Sequence, residues 1–233
     1  MTLTPLILIP GLLCDAILWQ AQVEGLADVA AAIVPDMTLD ESVEVMAGRV
    51  LAAAPPSFAL AGLSMGGYVA FEIMRQAPQR VTRLALLSTS ASPDSAARAT
   101  QRRRGIASVK HGRFLGVTTR LLPQLVHTSR LDGPVAEAVQ AMAGRVGGAA
   151  FLRQQQAILT RPDSRPTLAA IHVPTVVAVG DSDALIPPAE AEAIHRGISG
   201  SRLHVFPECG HLPTMERPEE TSQLLRQWLS DRG

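Results

Sequence analysis

The chain lacks the features that would mark several common classes of protein. It has no formal net charge, with 21 Lys or Arg set against 21 Asp or Glu in 233 residues. No global field therefore points to nucleic acid or to an anionic membrane as a partner. There are only two cysteines, Cys14 and Cys209. That number excludes a disulfide framework and fits free buried thiols, with a redox link between the two as the alternative. No pair of histidines has metal-ligand spacing such as His-x-x-x-His, so no metal is expected. The glycine runs lack both the Lys-Ser/Thr of a P-loop and the Gly-x-Gly-x-x-Gly of a dinucleotide site, so no cofactor is expected either. No repeat or low-complexity tract is visible. The apolar opening through Ile9 is too short to span a bilayer, and no basic residue precedes it, the first being Arg49. Leu12-Leu13-Cys14 lacks the small residue that stands before a lipid-modified cysteine. The opening reads as a core strand and the protein as cytoplasmic, a monomer or homodimer.

The chain does have apolar mass and alternation. At 47% hydrophobic content it can bury one sizeable core, and nothing suggests two independent domains. Strand-like runs at 4–9, 29–34, 57–62, 82–88, 173–180 and 202–206 alternate with helix-like runs at 17–26, 42–54, 66–77, 189–197 and 217–230. This pattern predicts an α/β fold, a mostly parallel sheet of about six strands flanked by helices. Trp19 and Trp228 fall on apolar helix faces and read as core.

The most informative stretch is Gly62-Leu63-Ser64-Met65-Gly66. An apolar strand leads into it and a helix-compatible run leaves it. A serine at such a turn sits in a strained backbone that small neighbours permit, with its hydroxyl raised beside the amides opening the helix. By itself this is equally a glycine-rich strand-to-helix turn with no chemistry. Partners decide between the two, because a serine hydroxyl needs a base and the base needs an acid. The run Val173–Gly180 reads as a buried strand and ends at Asp181-Ser182-Asp183. A further strand through Phe206 gives way to Cys209-Gly210-His211. Serine, acid and histidine thus each follow a strand, in that order. Asp181 and Asp183 both stand as candidates for the acid, one of them as a turn cap.

In these motifs the sequence resembles the α/β-hydrolase superfamily over nearly its whole length. The resemblance matches Ser64 to the family's nucleophile, and Gly180, Asp183 and Pro187 to its Gly-x-x-Asp-x-x-x-Pro acid loop. Gly210-His211 with Glu216-Arg217-Pro218 matches its histidine loop, and Leu6–Leu12 its oxyanion-loop strand. It implies Ser64, His211 and Asp183 as a catalytic triad, with the backbone amides of Leu12 and Met65 as the oxyanion hole. Pro10-Gly11 departs from the usual His-Gly. The hairpin that commonly opens the fold is expected to be missing.

From Ser92 to Pro166 the strand–helix alternation stops, and the resemblance implies a helical cap. The expected organisation is a core of 1–91 and 167–233 with a cap of 92–166 inserted. The cap holds twelve Arg or Lys against four acids, an excess of eight that the rest of the chain must balance. Either the cap arginines pair with core acids on a solvated face, or they form a basic entrance for an acidic or carrier-bound substrate. The function implied is a serine hydrolase cleaving a small or medium carboxylic ester through an acyl-enzyme. Enol-lactonase, carrier-protein methyl ester esterase, thioesterase and C–C bond hydrolase are alternatives within the family. A hydrolase-fold ligand receptor is the alternative outside enzymes.

Overall fold

The computed structural model describes residues 3–112 and 114–231. Among these, the chain opens on β1 (Thr4–Ile9), then a one-turn helix (Ala16–Trp19) that runs into α1 (Gln20–Gly25). There follow β2 (Ala30–Ile33), α2 (Val43–Ala53), β3 (Phe58–Leu63), α3 (Met65–Gln76) and β4 (Val81–Leu87). A helical segment containing α4 (Ala96–Lys110) and α5 (Pro134–Thr160) comes next. After it come α6 (Arg165–Leu168), β5 (Thr175–Gly180), α7 (Pro188–Gly197), β6 (Arg202–Phe206), α8 (Pro213–Glu216) and α9 (Pro218–Ser230). The six strands form one sheet in the order β2-β1-β3-β4-β5-β6, and every pairing is parallel.

Side-chain alternation explains the two covered faces. Leu6 and Leu8 pack with Trp19, Leu26, Leu225 and Trp228 on one side of the sheet. Ile7 and Ile9 pack with Met46, Val50, Val69 and Ile73 on the other. Strands buried on both faces read as continuous apolar runs, as β3 and β5 do. β5 begins two residues later than the sequence pattern predicts. Pro174 has no N–H to give a ladder, and its carbonyl instead accepts from Leu84 N–H and Trp228 Nε1.

The strand order positions the site. β1 lies between β2 and β3, so successive strands run outward in opposite directions from the β1–β3 pair. Ligands of open parallel sheets bind at such a switch, beyond the carboxyl ends of the strands. The loop after β1 and the turn after β3 are therefore neighbours. A side chain on Gly11 would touch Leu63 O and Ser64 Cβ, each at 3.4 Å.

Residues 92–166 hold α4, α5 and two one-turn helices (Leu122–Gln124 and Thr128–Arg130). α5 is broken at Gly147, whose φ of +77° no helix accommodates and which glycine adopts without strain. The sequence pattern does not mark that break. No helix among the described residues is long and apolar enough to cross a membrane.

Candidate active site

The turn from β3 into α3 is sterically possible only with the glycines it has. A Cβ on Gly62 would run into the Gly66 carbonyl, and one on Gly66 into the Ile9 carbonyl. This closeness puts Ser64 at φ +56° and ψ −114°, a region that non-glycine residues occupy at a cost of about 1–3 kcal/mol. The conformation is held by Ser64 N–H donating to Leu87 O at 3.0 Å. Gly67 N–H and Thr89 Oγ1 donate to Ser64 O at 3.0 and 2.8 Å. Met65 opens α3, so its amide has no carbonyl one turn back to bond and is left for another acceptor.

The acid and the histidine come together across 28 residues of sequence. His211 Nδ1 lies 2.8 Å from Asp183 Oδ2, and both side chains are almost wholly buried. The amides of Leu185 and Ile186 donate to the other oxygen, Asp183 Oδ1, at 3.0 and 2.8 Å. With a carboxylate accepting at Nδ1, the ring carries its proton there and leaves Nε2 as the basic nitrogen. Ser64, His211, Gly11 and Leu12 all line one cavity of about 390 Å³. Its remaining wall is mostly apolar, with Leu63, Val117, Val139, Met142 and Phe151 among the lining residues.

Asp181 has a different task. Its carboxylate accepts from Glu208 N–H at 2.9 Å and Cys209 N–H at 3.2 Å, joining the end of β5 to the histidine loop. Burial pushes this carboxyl up, but the two amides and the Ser182 hydroxyl outweigh it and hold it below the usual range.

The family model described as the alpha/beta hydrolase family matches residues 6–224. The chain belongs to the alpha/beta hydrolase family. It is a hydrolase, in a family that acts on ester bonds. A relative named as a pimeloyl-[acyl-carrier protein] methyl ester esterase, from Neisseria meningitidis serogroup C, is 29% identical over 80% of this chain and 75% of its own. The corresponding serogroup A protein aligns over only 62% of its length, so the hydrolase spans less than two thirds of that relative. A thermophilic esterase from Thermogutta terrifontis, solved with malate bound, superposes with a TM-score of 0.89 at 34% identity, covering 98% of this chain and 90% of its own. The enol-lactonase of Burkholderia xenovorans LB400 shares the fold, with a TM-score of 0.84 at 21% identity over 99% of this chain and 93% of its own.

Within the hydrolase, Glu216 braces the histidine loop, a role that its place in the sequence motif does not reveal. It is 2% exposed, and its carboxylate accepts from the amides of His127 (2.7 Å), Gly210 (3.1 Å) and Leu212 (3.0 Å). Two of those amides flank His211. Glu216→Gln turns one acceptor into a donor facing N–H groups, at an expected cost of about 1–3 kcal/mol. Thermal unfolding should therefore shift down by several degrees, at about 2–4 °C per kcal/mol for a domain of this size. An unchanged melting temperature would remove Glu216 from that role.

The two cysteines are free and each has its own partner. Cys14 Sγ contacts Leu12 O, and Cys209 Sγ contacts Gly210 O and the Glu216 carboxylate. Burial, with help from Asp15, pushes the Cys14 thiol up to about 12, and burial likewise pushes Cys209 up. Neither is a thiolate at neutral pH, so neither is a nucleophile there. Among the described residues no group of three or more His, Cys, Asp or Glu could hold a metal ion.

The arginines of the helical segment divide into several kinds. Arg145 reaches Asp15 beyond the segment at 2.7 Å. Arg102 and Arg161 share the single carboxylate of Asp94, at 2.5 and 2.9 Å. Burial pushes Asp94 up, but bonds from Arg161 and Arg102 prevail and hold it low. Arg161 also lies over the Tyr68 ring at 4.2 Å. Arg98 donates to Leu185 O at 2.7 Å, beside the Asp183 loop. Arg103, Arg104 and Lys110, on exposed positions of α4, have no ion-pair partner among the described residues. Arg113, also counted in the basic excess, lies outside the described residues.

Proposed function

We propose that the protein hydrolyses a carboxylic ester through an acyl-enzyme formed on Ser64. The observation that carries this reading is the buried Asp183–His211 pair, whose histidine lines the cavity that also holds Ser64. In the proposed cycle His211 Nε2 takes the Ser64 proton as Oγ attacks the ester carbonyl. Asp183 fixes the imidazole tautomer and stabilises the imidazolium that forms. The amides of Leu12 and Met65 receive the oxyanion, each worth roughly 3 kcal/mol in the transition state. The imidazolium then protonates the departing alcohol. Water, activated in turn by His211, releases the acid and restores the serine. Ser64 Oγ makes no hydrogen bond to His211 among the described residues, and in this reading that bond forms once substrate is in place, as catalytic bonds commonly do.

Residues 92–166 serve in this reading as a cap over the core of 1–91 and 167–233, supplying Val117, Val139, Met142 and Phe151 to the cavity. An apolar cavity of this size takes a small or medium acyl or alcohol chain. The reading is tested with a panel of p-nitrophenyl esters, lactones and acyl thioesters. Turnover of at least one ester that is lost in Ser64→Ala supports it. Tight retention of ligand with no turnover anywhere in the panel would point to a receptor instead.

A carrier-bound ester is the finer version of the same reading. It is favoured by the name of the Neisseria relative and by α4, which carries five cations and no acid. Steering of an acidic partner acts on association, so kcat/KM should fall with added salt while kcat stays level. Arg103→Glu with Arg104→Glu should lower kcat/KM for acidic substrates and leave a short neutral ester unaffected. Arg102 is unsuited to that comparison, because its guanidinium is committed to Asp94 and Gln155. Equal effects on acidic and neutral substrates, or none on either, would make the cluster a solvated helix face. A cytoplasmic location fits such a substrate.

A further inference from the structure

The loop that follows β1 is held from far along the chain by one buried amide side chain. Cys14 N–H donates to Gly11 O at 3.2 Å, closing a turn in which Leu13 is the third residue. Leu13 has φ +60°, and Leu12 is not among the residues of positive φ. A positive φ at the third position is what the type II form requires, and glycine ordinarily fills it. A leucine there is strained, and flipping the Leu12–Leu13 peptide into the type I form would relieve it. Gln154, on the part of α5 beyond its break, opposes that flip. Its Oε1 accepts from Leu13 N–H at 3.0 Å, and its Nε2 donates to Met37 O at 3.1 Å. The side chain is fully buried, and Gln154 is not among the residues lining the cavity. Pro10, ahead of Gly11, has no polar side chain with which to brace the loop instead.

We propose that Gln154 is a positioning residue for the oxyanion loop. It holds the Leu12–Leu13 peptide in its flipped orientation and so keeps the adjoining Leu12 amide aimed at the carbonyl that Ser64 attacks. The inference rests on the reading of Leu12 N–H as an oxyanion donor. It makes α5 part of the catalytic apparatus as well as a wall of the cavity. A buried amide engaged at both ends has one orientation, which suits it to select between two forms of a turn.

The test is a comparison of Gln154→Met, Gln154→Glu and Arg153→Ala on p-nitrophenyl acetate. Arg153 tethers the same helix to the loop after β2, its Nε donating to Thr38 O at 2.7 Å, and does not line the cavity. Gln154→Met should lower kcat by about tenfold or more, within the ~10²–10³ that losing a whole donor costs, with KM little changed. Arg153→Ala should leave kcat within about twofold even where its melting temperature falls as far. Gln154→Glu keeps an acceptor for Leu13 N–H and, as the neutral acid that burial favours, an O–H for Met37 O, and should return kcat to within about threefold of wild type. In a Leu13→Gly background, where glycine holds positive φ unaided, Gln154→Met should cost much less. Equal kcat losses in Gln154→Met and Arg153→Ala, or a rise in KM alone, would overturn the proposal. Should Gln154→Met not fold, a folded Gln154→Glu with a tenfold or larger loss would do the same. If Ser64→Ala retains activity the serine reading itself fails, whatever the Gln154 variants show.

Discussion

Ser64→Ala and His211→Ala are each expected to abolish nearly all ester hydrolysis while leaving the fold intact. Losses in kcat on the order of 10⁴- to 10⁶-fold accompany removal of a nucleophile or base from a triad. Because the two residues act in one proton-coupled step, the double variant should be little worse than either single one. Additive losses would mean that they act in separate steps. Neither change should unfold the protein. Ser64→Ala keeps the β-carbon around which the β3–α3 turn is built, and the elbow is held through the Ser64 backbone by Leu87 O, Gly67 N–H and the Thr89 hydroxyl. Steady-state kinetics on p-nitrophenyl acetate, with circular dichroism of each variant, reads both outcomes.

The second large effect separates two acids that stand two residues apart. Asp183→Asn places an amide opposite His211 Nδ1 and favours the wrong tautomer, for which roughly ten-thousand-fold losses are known in comparable triads. Asp181→Asn should keep most of the activity and lose stability instead, because Asp181 accepts from Glu208 and Cys209 amides and not from His211. The pH dependence distinguishes them further. The Asp181 carboxyl is held below its ordinary value in the folded protein, so its contribution to stability is present above the unfolded value, about 3.9. It is lost as pH falls through the folded value. Asp181→Asn should therefore flatten the acid limb of a stability-against-pH curve without altering its neutral shape. A crippled Asp181→Asn beside an active Asp183→Asn would exchange the two roles.

The candidate site is legible in the sequence where local sterics or strand ends dictate residue type. Gly62 and Gly66 are readable because no other residue fits against Gly66 O and Ile9 O. Ser64, Asp183 and His211 are readable because each follows an apolar strand that must end where the sheet ends. Proposing Asp183 over Asp181 as the acid rests on the spacing given by family resemblance, since both acids share one loop and both accept backbone amides. Gln154 was not legible. It sits in the polar run Gln154-Gln155-Gln156, and it is buried on the part of α5 beyond the break at Gly147, where it bonds Leu13 and Met37. The same holds for Asp94, whose two arginines arrive from α4 and from the end of α5. Local signals reach a few residues, whereas the Asp94–Arg161 contact closes 67 residues and the Leu13–Gln154 contact 141.

Covalent trapping tests the central claim most directly. A fluorophosphonate ester, incubated with the wild-type protein and followed by intact mass and peptide mapping, should add one phosphonyl group per chain, on Ser64. Hydrolysis should disappear in step with that addition, and Ser64→Ala and His211→Ala should remain unlabelled over the same interval. Labelling confined to another residue, or full hydrolytic activity after Ser64 has been modified, would contradict the account.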